Sequence, residues 1–501
     1  MSLDSALTTA TSGLRLTQKQ LTQASQNIAN AGVAGYTRKQ VDAQSVTGGS
    51  GVRALEATRQ IDTALRAQLL AAAGQQGAAS LRDTTLAPLA QLQGNPSDAT
   101  STAGLVSALN DAFTNLAANP TDSGAMSTAL GAAQNLAGQI NSVSDAIGAA
   151  RQQVQDGLKG DVDTANGLLS DIAKLDRLVR SETMAGRSGA DLADQRDAAI
   201  TELASLVNVK PVAAENGGVT LMLNDGSILP LQEGSTPFGL AEATVSPGSY
   251  YGDPDGTLPG LTLNGQALST ATIGGAIGEG FSLRDTTLPT MQAELDMTAA
   301  TLAHRLDEQG LRLFTDSGDS APPDPTTAEG LAASTGFASR ISVNSAVRDS
   351  PRLLRDGTHA VDGFTPNPAG GPAGFNTLLT RVTTYSFGSE SAAGTRHAAI
   401  AGSGLGANGK LSASFSAPSR ITDYASAVVG SQASIAAAAS GAATHSTALR
   451  NQFDTLLQKA EGVNVDSEMA NMVQLQNAYA ANARVLTAVQ SMWDALLGAV
   501  R

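Results

Sequence analysis

The sequence contains no cysteine among its 501 residues. Disulfide bonds, thiolate nucleophiles and cysteine-ligated metal sites are therefore all excluded. Aromatic residues are also scarce, at 3%, and this scarcity favours thin cores and closely packed helices over a deep ligand pocket. The composition thus indicates a scaffold more readily than an enzyme.

Basic residues are outnumbered by acidic ones. Lys plus Arg total 31 against 45 Asp plus Glu, which gives a formal net charge of -14. A surface of that sign repels nucleic-acid phosphates and the anionic face of a membrane. No stretch reaches the ~18–20 apolar residues that span a bilayer, and residues 1–20 lack the pattern of a cleaved signal peptide. We therefore expect no nucleic-acid partner and no membrane anchor.

Heptad patterns lie at both ends of the chain. Small or apolar residues recur there at alternating steps of four and three, from Leu3 to Ala31 and from Val465 to Val500. Ser2 and Asp466 are the candidate N-caps of the two helices. Two such segments at opposite ends predict a long two-helix coiled-coil stalk that brings the termini together.

Either pattern is equally typical of an amphipathic helix on an ordinary globular core, and this alternative remains open. Only Asp4, Arg15 and Lys19 are charged between residues 1 and 36. The flanking ion pairs that stabilise an isolated coiled coil are therefore missing. We expect such helices to need more neighbours than one partner.

Between the two ends, the sequence predicts further helices and a small β-rich region. Helical patterns cover about residues 59–93, 124–158, 162–179, 288–314 and 421–460. Two hairpins are indicated by Asp225-Gly226 and Asn264-Gly265, each next to short apolar runs. Proline-rich stretches near 322–325 and 366–372 predict irregular loops.

The predicted fold class is mainly α with an inserted β-rich domain. We expect a terminal coiled-coil domain, a helical middle domain that includes irregular loops at 315–420, and a small β-rich outer domain. Their predicted ranges are 1–47 with 458–501, 48–210 with 283–457, and 211–282.

One motif could indicate nucleotide binding. Residues 404–410 read GLGANGK, which fits the glycine pattern of a dinucleotide-binding loop and the first part of a P-loop. A P-loop has Ser or Thr directly after its lysine, however, and Leu411 stands there. Residues 412–420 also lack the pattern of a helix whose N-terminus would hold the phosphate. We therefore predict no cofactor.

The sequence shows no constellation typical of catalysis or metal binding. Its four histidines are scattered, without the spacing of a metal-binding helix face or of an activated nucleophile. Asp316 and Asp319 lack the alternating ligands and the final glutamate of a calcium-binding loop. We predict neither a catalytic residue nor a metal site.

Residues 25–38 read SQNIANAGVAGYTR. This stretch resembles the N-terminal signature of the axial proteins of the bacterial flagellum, which comprise rod, hook and hook-associated proteins. The family usually has Thr-Pro before the Gly-Tyr pair, and here Val33-Ala34 replaces it. The residues that keep the pattern are Asn27, Asn30, Gly35, Tyr36 and Arg38.

Residues 461–497 read EGVNVDSEMANMVQLQNAYAANARVLTAVQSMWDALL and resemble the matching C-terminal signature of the axial family. Three central stretches, 191–209 with its DLADQRD start, 287–310 and 341–354, resemble the hook-associated members and are absent from rod and hook proteins. Together these stretches cover roughly half of the chain. Another axial subunit, of hook or distal rod, is the alternative.

The resemblance implies a structural, non-enzymatic subunit at the distal end of the hook, forming the junction on which the filament assembles. In this family the terminal helices form an inner tube, a helical middle domain forms the next layer, and β-rich domains face outward. Implied partners are like subunits in an axial polymer, the hook protein, a second junction protein, a cytoplasmic export chaperone and the flagellar type III export apparatus. The implied location is extracellular, in the flagellum, after a transient cytoplasmic stage.

The predicted assembly interface consists of residues from both heptad seams together with residues of the N-terminal signature. Burial of the seams against neighbouring helices is the interaction expected to hold subunits together. These residues are Leu3, Leu7, Leu14, Leu21, Asn27, Ile28, Asn30, Gly35, Tyr36, Val465, Met469, Met472, Tyr479, Leu486, Trp493 and Leu497.

Overall fold

A computed structural model describes residues 3–46, 51–252 and 255–499. The predicted N-cap Ser2 and the last seam residue, Val500, lie outside these ranges. Within them the fold is mainly helical, and its strands form several short sheets. None of the helices in these ranges combines the length and the apolar character that crossing a membrane requires.

Helices supply most of the described structure, and several start at side-chain caps. Asp62, Ser101 and Asp122 accept hydrogen bonds from first-turn N–H groups of α2, α3 and α4. The helices are α1 (Leu3–Ala29), α2 (Thr63–Gln93), α3 (Thr102–Ala118), α4 (Ser123–Met184), α5 (Ala190–Leu206), α6 (Gly275–Ser282), α7 (Leu288–Asp307), α8 (Ala328–Ala333), α9 (Ser345–Asp349), α10 (Leu353–Asp356), α11 (Thr377–Arg381), α12 (Ile421–Glu461) and α13 (Val465–Ala499).

The strands are short and pair antiparallel. They are β1 (Lys39–Gln40), β2 (Ala43–Ser45), β3 (Val52–Ala54), β4 (Thr58–Arg59), β5 (Val209–Ala213), β6 (Val219–Leu223), β7 (Ile228–Leu229), β8 (Phe238–Gly239), β9 (Thr262–Leu263), β10 (Gln266–Ala267), β11 (Phe314–Thr315), β12 (Ser342–Val343), β13 (Glu390–Ala392), β14 (Thr395–Arg396), β15 (Ser403–Leu405) and β16 (Leu411–Ser412). Their sheets have the orders β1-β4, β2-β3, β5-β6-β7, β8-β9-β10, β11-β12, β13-β14 and β15-β16. Both predicted hairpins are confirmed, since β6 pairs with β7 across Asp225-Gly226 and β9 pairs with β10 across Asn264-Gly265.

Helix α7 lies at the centre of the body, which we define as residues 63–461. Every residue from Met291 to Ala303 is buried. Helix α7 packs against α4 and α12, α2 packs along α12, and α4 contacts α3 and α5. A single hydrophobic core runs through these helices. A helix buried on all sides has no polar face, and this explains why α7 carries no clean one-sided pattern.

Helices α1 and α13 pack against each other and form the stalk, which we define as residues 3–29 and 465–499. Ala10, Thr17 and Ala24 are buried along α1 at the predicted seam spacing. Strand β3 covers another part of α1. Heptad pairing of the two helices as a coiled coil stays a prediction.

Several helix boundaries differ from those predicted. The helices predicted at 124–158 and 162–179 form one continuous helix, α4. The helix predicted at 288–314 ends at Asp307, since Gly310 takes a positive φ of 92° that breaks the helical conformation. The N-cap of α13 is Asn464 and not Asp466, because Asn464 Oδ1 accepts a hydrogen bond from Ser467 N at 3.0 Å.

The sequence patterns do not predict the helices α3, α5 and α6, the last of which lies in the predicted β-rich range. The region predicted as irregular at 315–420 also contains the short helices α8 to α11 and the strands β12 to β16. These elements are two to six residues long. Such short segments carry too few residues to display a helical or strand period in sequence.

Candidate functional site

The N-terminal signature, the DLADQRD stretch and the C-terminal signature meet at the base of the stalk. Thr37 Oγ1 donates to Asp194 Oδ1 at 2.8 Å, and Arg38 Nε donates to Glu468 Oε1 at 2.5 Å. Ion pairs and hydrogen bonds connect these segments with α2. We call the participating residues the base network: Asn27, Tyr36, Thr37, Arg38, Lys39, Arg59, Arg66, Asp191, Asp194, Asp197, Glu461 and Glu468.

Asn27 holds the reversal of the chain after α1. Its side chain is 1% exposed, and its Nδ2 donates to Lys39 O at 2.9 Å while its Oδ1 accepts from Tyr36 Oη at 3.0 Å. Gly35 lies within the reversal with a positive φ of 77°, a conformation that glycine adopts without strain. In the single chain, these signature residues therefore connect α1 to β1.

Lys39 is a buried cation between two carboxylates. Its Nζ lies 2.8 Å from Asp191 Oδ1 and 2.8 Å from Asp194 Oδ2, and 3.4 Å from the centroid of the Tyr36 ring. Burial lowers the pKa of Lys39, but the hydrogen bonds to Asp191 and Asp194 outweigh burial and raise that pKa. The ion pairs therefore keep Lys39 charged and attach β1 to α5.

Two arginines extend the network to α12. Arg59 Nη1 lies 3.0 Å from Asp194 Oδ1 and 2.7 Å from Asp197 Oδ2. Arg66 also pairs with Asp197, and its Nε donates to both carboxylate oxygens of Glu461 at 2.9 Å. Burial opposes the charge of Arg66, but Glu461 and Asp197 outweigh it and raise the pKa. The end of α12 is thus fixed to α2 and α5.

The residues of α13 form two sets that differ in exposure in the single chain. Towards α1 it places buried or half-buried residues, and Asn482 lies against Gly13. These residues are Glu468, Asn471, Met472, Leu475, Asn482, Ala483, Leu486 and Val489. Large apolar residues elsewhere on α13 are exposed, with Trp493 at 38% and Leu497 at 59%. The exposed set, which we call the open face although its members are not confined to one side of the helix, is Val465, Met469, Val473, Tyr479, Val485, Met492, Trp493, Leu496 and Leu497.

The structure divides the predicted assembly residues among three places. Leu3, Leu7, Leu14, Leu21 and Ile28 are half-buried on α1, and Met472 and Leu486 are half-buried on α13. The open face contains Val465, Met469, Tyr479, Trp493 and Leu497. Asn27 and Tyr36 belong to the base network with Gly35 in their turn, and the Asn30 amide donates to Gln26 O at 3.0 Å. Their role in assembly stays a prediction.

The sequence did not identify most charged residues of the base network as functional candidates. Lys39, Arg66, Glu461 and Glu468 were not among the predicted site residues. The available signal was the resemblance, because Arg38 and the DLADQRD carboxylates lie inside the matching stretches. Their contacts join segments far apart in sequence, which periodicity cannot reveal.

The glycine-rich stretch at 404–410 forms the turn of the β15–β16 hairpin. Gly404, Gly406 and Gly409 all take positive φ values there. Leu411 starts strand β16, where a phosphate-binding loop would start a helix. Among residues 3–46, 51–252 and 255–499, no group of three or more His, Asp or Glu side chains is arranged to hold a metal ion.

Comparisons with known proteins agree with the resemblance. A family model described as the flagellar hook-associated protein FlgK helical domain matches residues 89–319. A second, described as the flagellar basal body rod FlgEFG protein C-terminal region, matches residues 458–499. Flagellar hook-associated protein 1 of Escherichia coli is 26% identical over 99% of this chain and 100% of its own length. The protein of that name from Bacillus subtilis is 26% identical over 98% and 97%.

A solved structure, the flagellar hook junction protein FlgK from Burkholderia pseudomallei, is 27% identical to this chain with a TM-score of 0.40. That match covers 51% of this chain and 45% of the solved chain. The similarity to the two relatives is nearly full-length, and the helical-domain model matches a central region of the chain. The helical-domain model and the two nearly full-length relatives thus agree that this chain is similar to flagellar hook-associated protein 1.

Proposed function

We propose that the protein is a structural subunit of the bacterial flagellum that polymerises at the distal end of the hook. It forms the hook-filament junction on which the filament assembles. The observation that supports polymerisation most directly is the open face of α13. It comprises nine large apolar residues that stay exposed in the single chain, although α13 also packs on α1.

The open face is suited to burial against like subunits. No charged residue occurs from Met469 to Ala483, so little charge has to leave water when that part of the stalk is covered. Burial of a large apolar side chain contributes roughly 1.5–3 kcal/mol. We therefore propose that the α1–α13 stalks of neighbouring subunits pack side by side as an inner tube, with the predicted assembly residues at their contacts.

The remaining partners are proposed from the similarity to flagellar hook-associated protein 1. We propose that the protein binds the hook protein on one side and a second junction protein on the other. An export chaperone engages its C-terminal region in the cytoplasm, and the flagellar type III apparatus then secretes it. It catalyses no reaction and resides outside the cell, in the flagellum.

The test is a point change in the stalk. Leu486→Asp puts a carboxylate on the half-buried side of α13 and leaves the core of the body untouched. A strain with this form as its sole copy is expected to export the subunit, to bear hooks without filaments, to release flagellin into the medium and to be non-motile. Met184→Asp, at an exposed position on α4, is the matched control and is expected to swim.

Three measurements separate the steps. Immunoblots of the medium report export, electron micrographs report hooks and filaments, and soft agar reports swimming. Normal filaments and swimming in the Leu486→Asp strain would show that α13 is not an assembly element. Secretion without filaments is the result expected of a failed junction.

The nucleotide-using alternative is tested separately. ATP, GTP and NAD at millimolar concentration are expected to leave the Tm unchanged, because a ligand that binds the native state stabilises it by mass action. A clear rise in Tm that Lys410→Ala abolishes would overturn the structural role.

A further inference from the structure

We propose that Arg38 sets the direction of the stalk relative to the body. It does so by clamping the two glutamates that flank the break between α12 and α13. Glu461 is the last residue of α12, and Glu468 lies in the first turn of α13. Arg38 is outside both helices and contacts both residues. We call this arrangement the Arg38 clamp.

The link between the two helices does not fix their angle. Gly462 N donates back to Gln458 O of α12 at 2.9 Å, and Asn464 Oδ1 accepts from Ser467 N of α13 at 3.0 Å. Each end of the link therefore caps its own helix. Only glycine fits at 462 without a shift of α12, because a Cβ there would lie 2.3 Å from Gln458 O. The angle between the helices must be set by contacts from elsewhere in the chain.

Arg38 supplies such contacts from a fixed position. Its backbone N donates to Glu461 O at 2.7 Å, and its backbone O accepts from Gln60 N at 3.1 Å. Its Nη1 also donates to Gln60 Oε1, at 3.3 Å. Glu461 in turn is held by Arg66 and by Asp62 N, which donates to Glu461 Oε1 at 2.7 Å. The backbone of Arg38 is thereby attached to the body.

From that position the guanidinium reaches the stalk. Arg38 Nε donates to Glu468 Oε1 at 2.5 Å, and Glu468 is 1% exposed. A buried carboxylate without a cation is strongly unfavourable. If Arg38 lost its charge, movement of α13 away from β1 and α1 would return Glu468 to solvent. The pair therefore couples the charge of Arg38 to the direction of the stalk.

The clamp is a property of the folded chain, whereas its consequence for assembly rests on the proposed function. Stalks that pack side by side in a polymer must all leave their bodies in one direction. A subunit without the clamp would present its open face at variable angles. Arg38 is therefore a positioning residue for junction assembly and is not itself the contact between subunits.

Because the chain contains no cysteine, two introduced cysteines can be labelled selectively, and the direction of the stalk relative to the body can then be measured. Ser181→Cys on α4 and Asn477→Cys on α13 place two spin labels at exposed positions, one on the body and one on the stalk. Pulsed electron paramagnetic resonance on the purified full chain is expected to give a single narrow distance distribution. Arg38→Gln in this background is expected to shift and broaden that distribution.

Glu468→Gln provides the second half of a double-mutant cycle. A neutral amide can be buried and can still accept the hydrogen bond from Arg38, so the distribution is expected to broaden less than in Arg38→Gln. Arg38→Gln with Glu468→Gln is expected to be narrower than Arg38→Gln alone, because no unpaired carboxylate remains. Lys19→Gln removes the exposed Lys19–Glu56 ion pair of the same stalk and is expected to change nothing.

Several results would overturn the clamp. They are a broad distribution in the parent, an unchanged distribution in folded Arg38→Gln, and a double variant as broad as Arg38→Gln. If Arg38→Gln fails to fold, the double variant is measured in its place, since it lacks the buried unpaired charge, and a distribution identical to that of the parent would then overturn the clamp. Motility is measured separately. If Arg38→Gln shifts the distance distribution but the strain swims normally, the role of Arg38 in assembly is contradicted, whereas its role in setting the direction of the stalk is not.

Discussion

Helices α7 and α13 differ in where their apolar surface is buried. Every residue from Met291 to Ala303 of α7 is buried within the chain. Of the described residues of α13, Val465–Ala499, only Glu468 and Val489 are buried. Helical propensity alone gives marginal stability in water, so packing decides whether a helix persists. The body therefore obtains its stability from its own core, whereas α13 leaves most of its large apolar residues exposed in the single chain.

The largest expected effect comes from a matched pair of leucines. Leu295→Ala in α7, where Leu295 is 0% exposed, is expected to lower the free energy of unfolding by about 2–5 kcal/mol through lost burial and a cavity. Leu486→Ala in α13 is expected to lower it by under about 1 kcal/mol, since the side chain is only half-buried. Urea denaturation of the two monomeric variants measures both values. Equal losses would contradict the comparison.

The body is also expected to respond to pH through a buried carboxyl group on α7. Burial raises the pKa of Asp296 to about 6, although Gly336 N at 2.7 Å and Ala338 N at 2.9 Å donate to its carboxylate. A raised folded-state pKa gives stability that is complete below the unfolded pKa and is lost as pH rises through about 6.

Asp296→Asn tests this response, because asparagine does not titrate. As pH rises from about 4 to about 7, wild type is expected to lose up to about 3 kcal/mol of unfolding free energy relative to the variant. Urea denaturation of both proteins at each pH gives the difference. A constant difference over that range would show that Asp296 keeps an ordinary pKa.

Hydrogen exchange compares the local stability of the stalk helices with that of the body helices. Amides in the distal halves of α1 and α13 are expected to exchange much faster than those of α4 and α7, because few side chains are buried there. Amides of the first turns of α13 are expected to be intermediate, since Glu468 attaches them to Arg38. If amides of the distal stalk were as protected from exchange as those of α7 in the monomeric protein, the predicted difference in exchange rate would be contradicted.

The smallest effect is expected at the Lys19–Glu56 ion pair, whose atoms lie 2.7 Å apart on the exposed side of the stalk. Lys19→Ala is expected to change the free energy of unfolding by less than about 0.5 kcal/mol, because exposed ion pairs are solvated and screened. The same denaturation experiment measures it. A larger loss would mean that the stalk contributes to the stability of the single chain.

Sequence periodicity predicted the long helices but not all of their boundaries. Ser101 and the apolar spacing of Val106, Leu109, Phe113 and Leu116 would have indicated α3. Gly157 and Gly160 lie near the break predicted between the helices at 124–158 and 162–179, whereas α4 is continuous there. A Cβ at either glycine would meet nothing within 4 Å, so both lie on the open side of a helix whose other side is packed. Tertiary packing thus outweighed local propensity.

The side of α13 that faces α1 could not be read from apolar spacing, because polar Glu468 and Asn482 occupy two of its positions. The predicted spacing includes Met472 and Leu486, which are half-buried towards α1, together with Met469 and Trp493, which are exposed. The base network was equally hidden, since its ion pairs depend on tertiary contacts. The family signatures located its segments without indicating which side chains meet.

The contact between Arg38 and Glu468 joins residues 430 positions apart, and that between Arg66 and Glu461 spans 395. Closure of such long loops carries an entropy penalty that contacts formed early cannot offset. During synthesis the N-terminal half of the base emerges long before its carboxylate partners. The base is therefore expected to close last, after the body has folded, and every chain that ends before residue 461 leaves Arg38 and Arg66 without those glutamates.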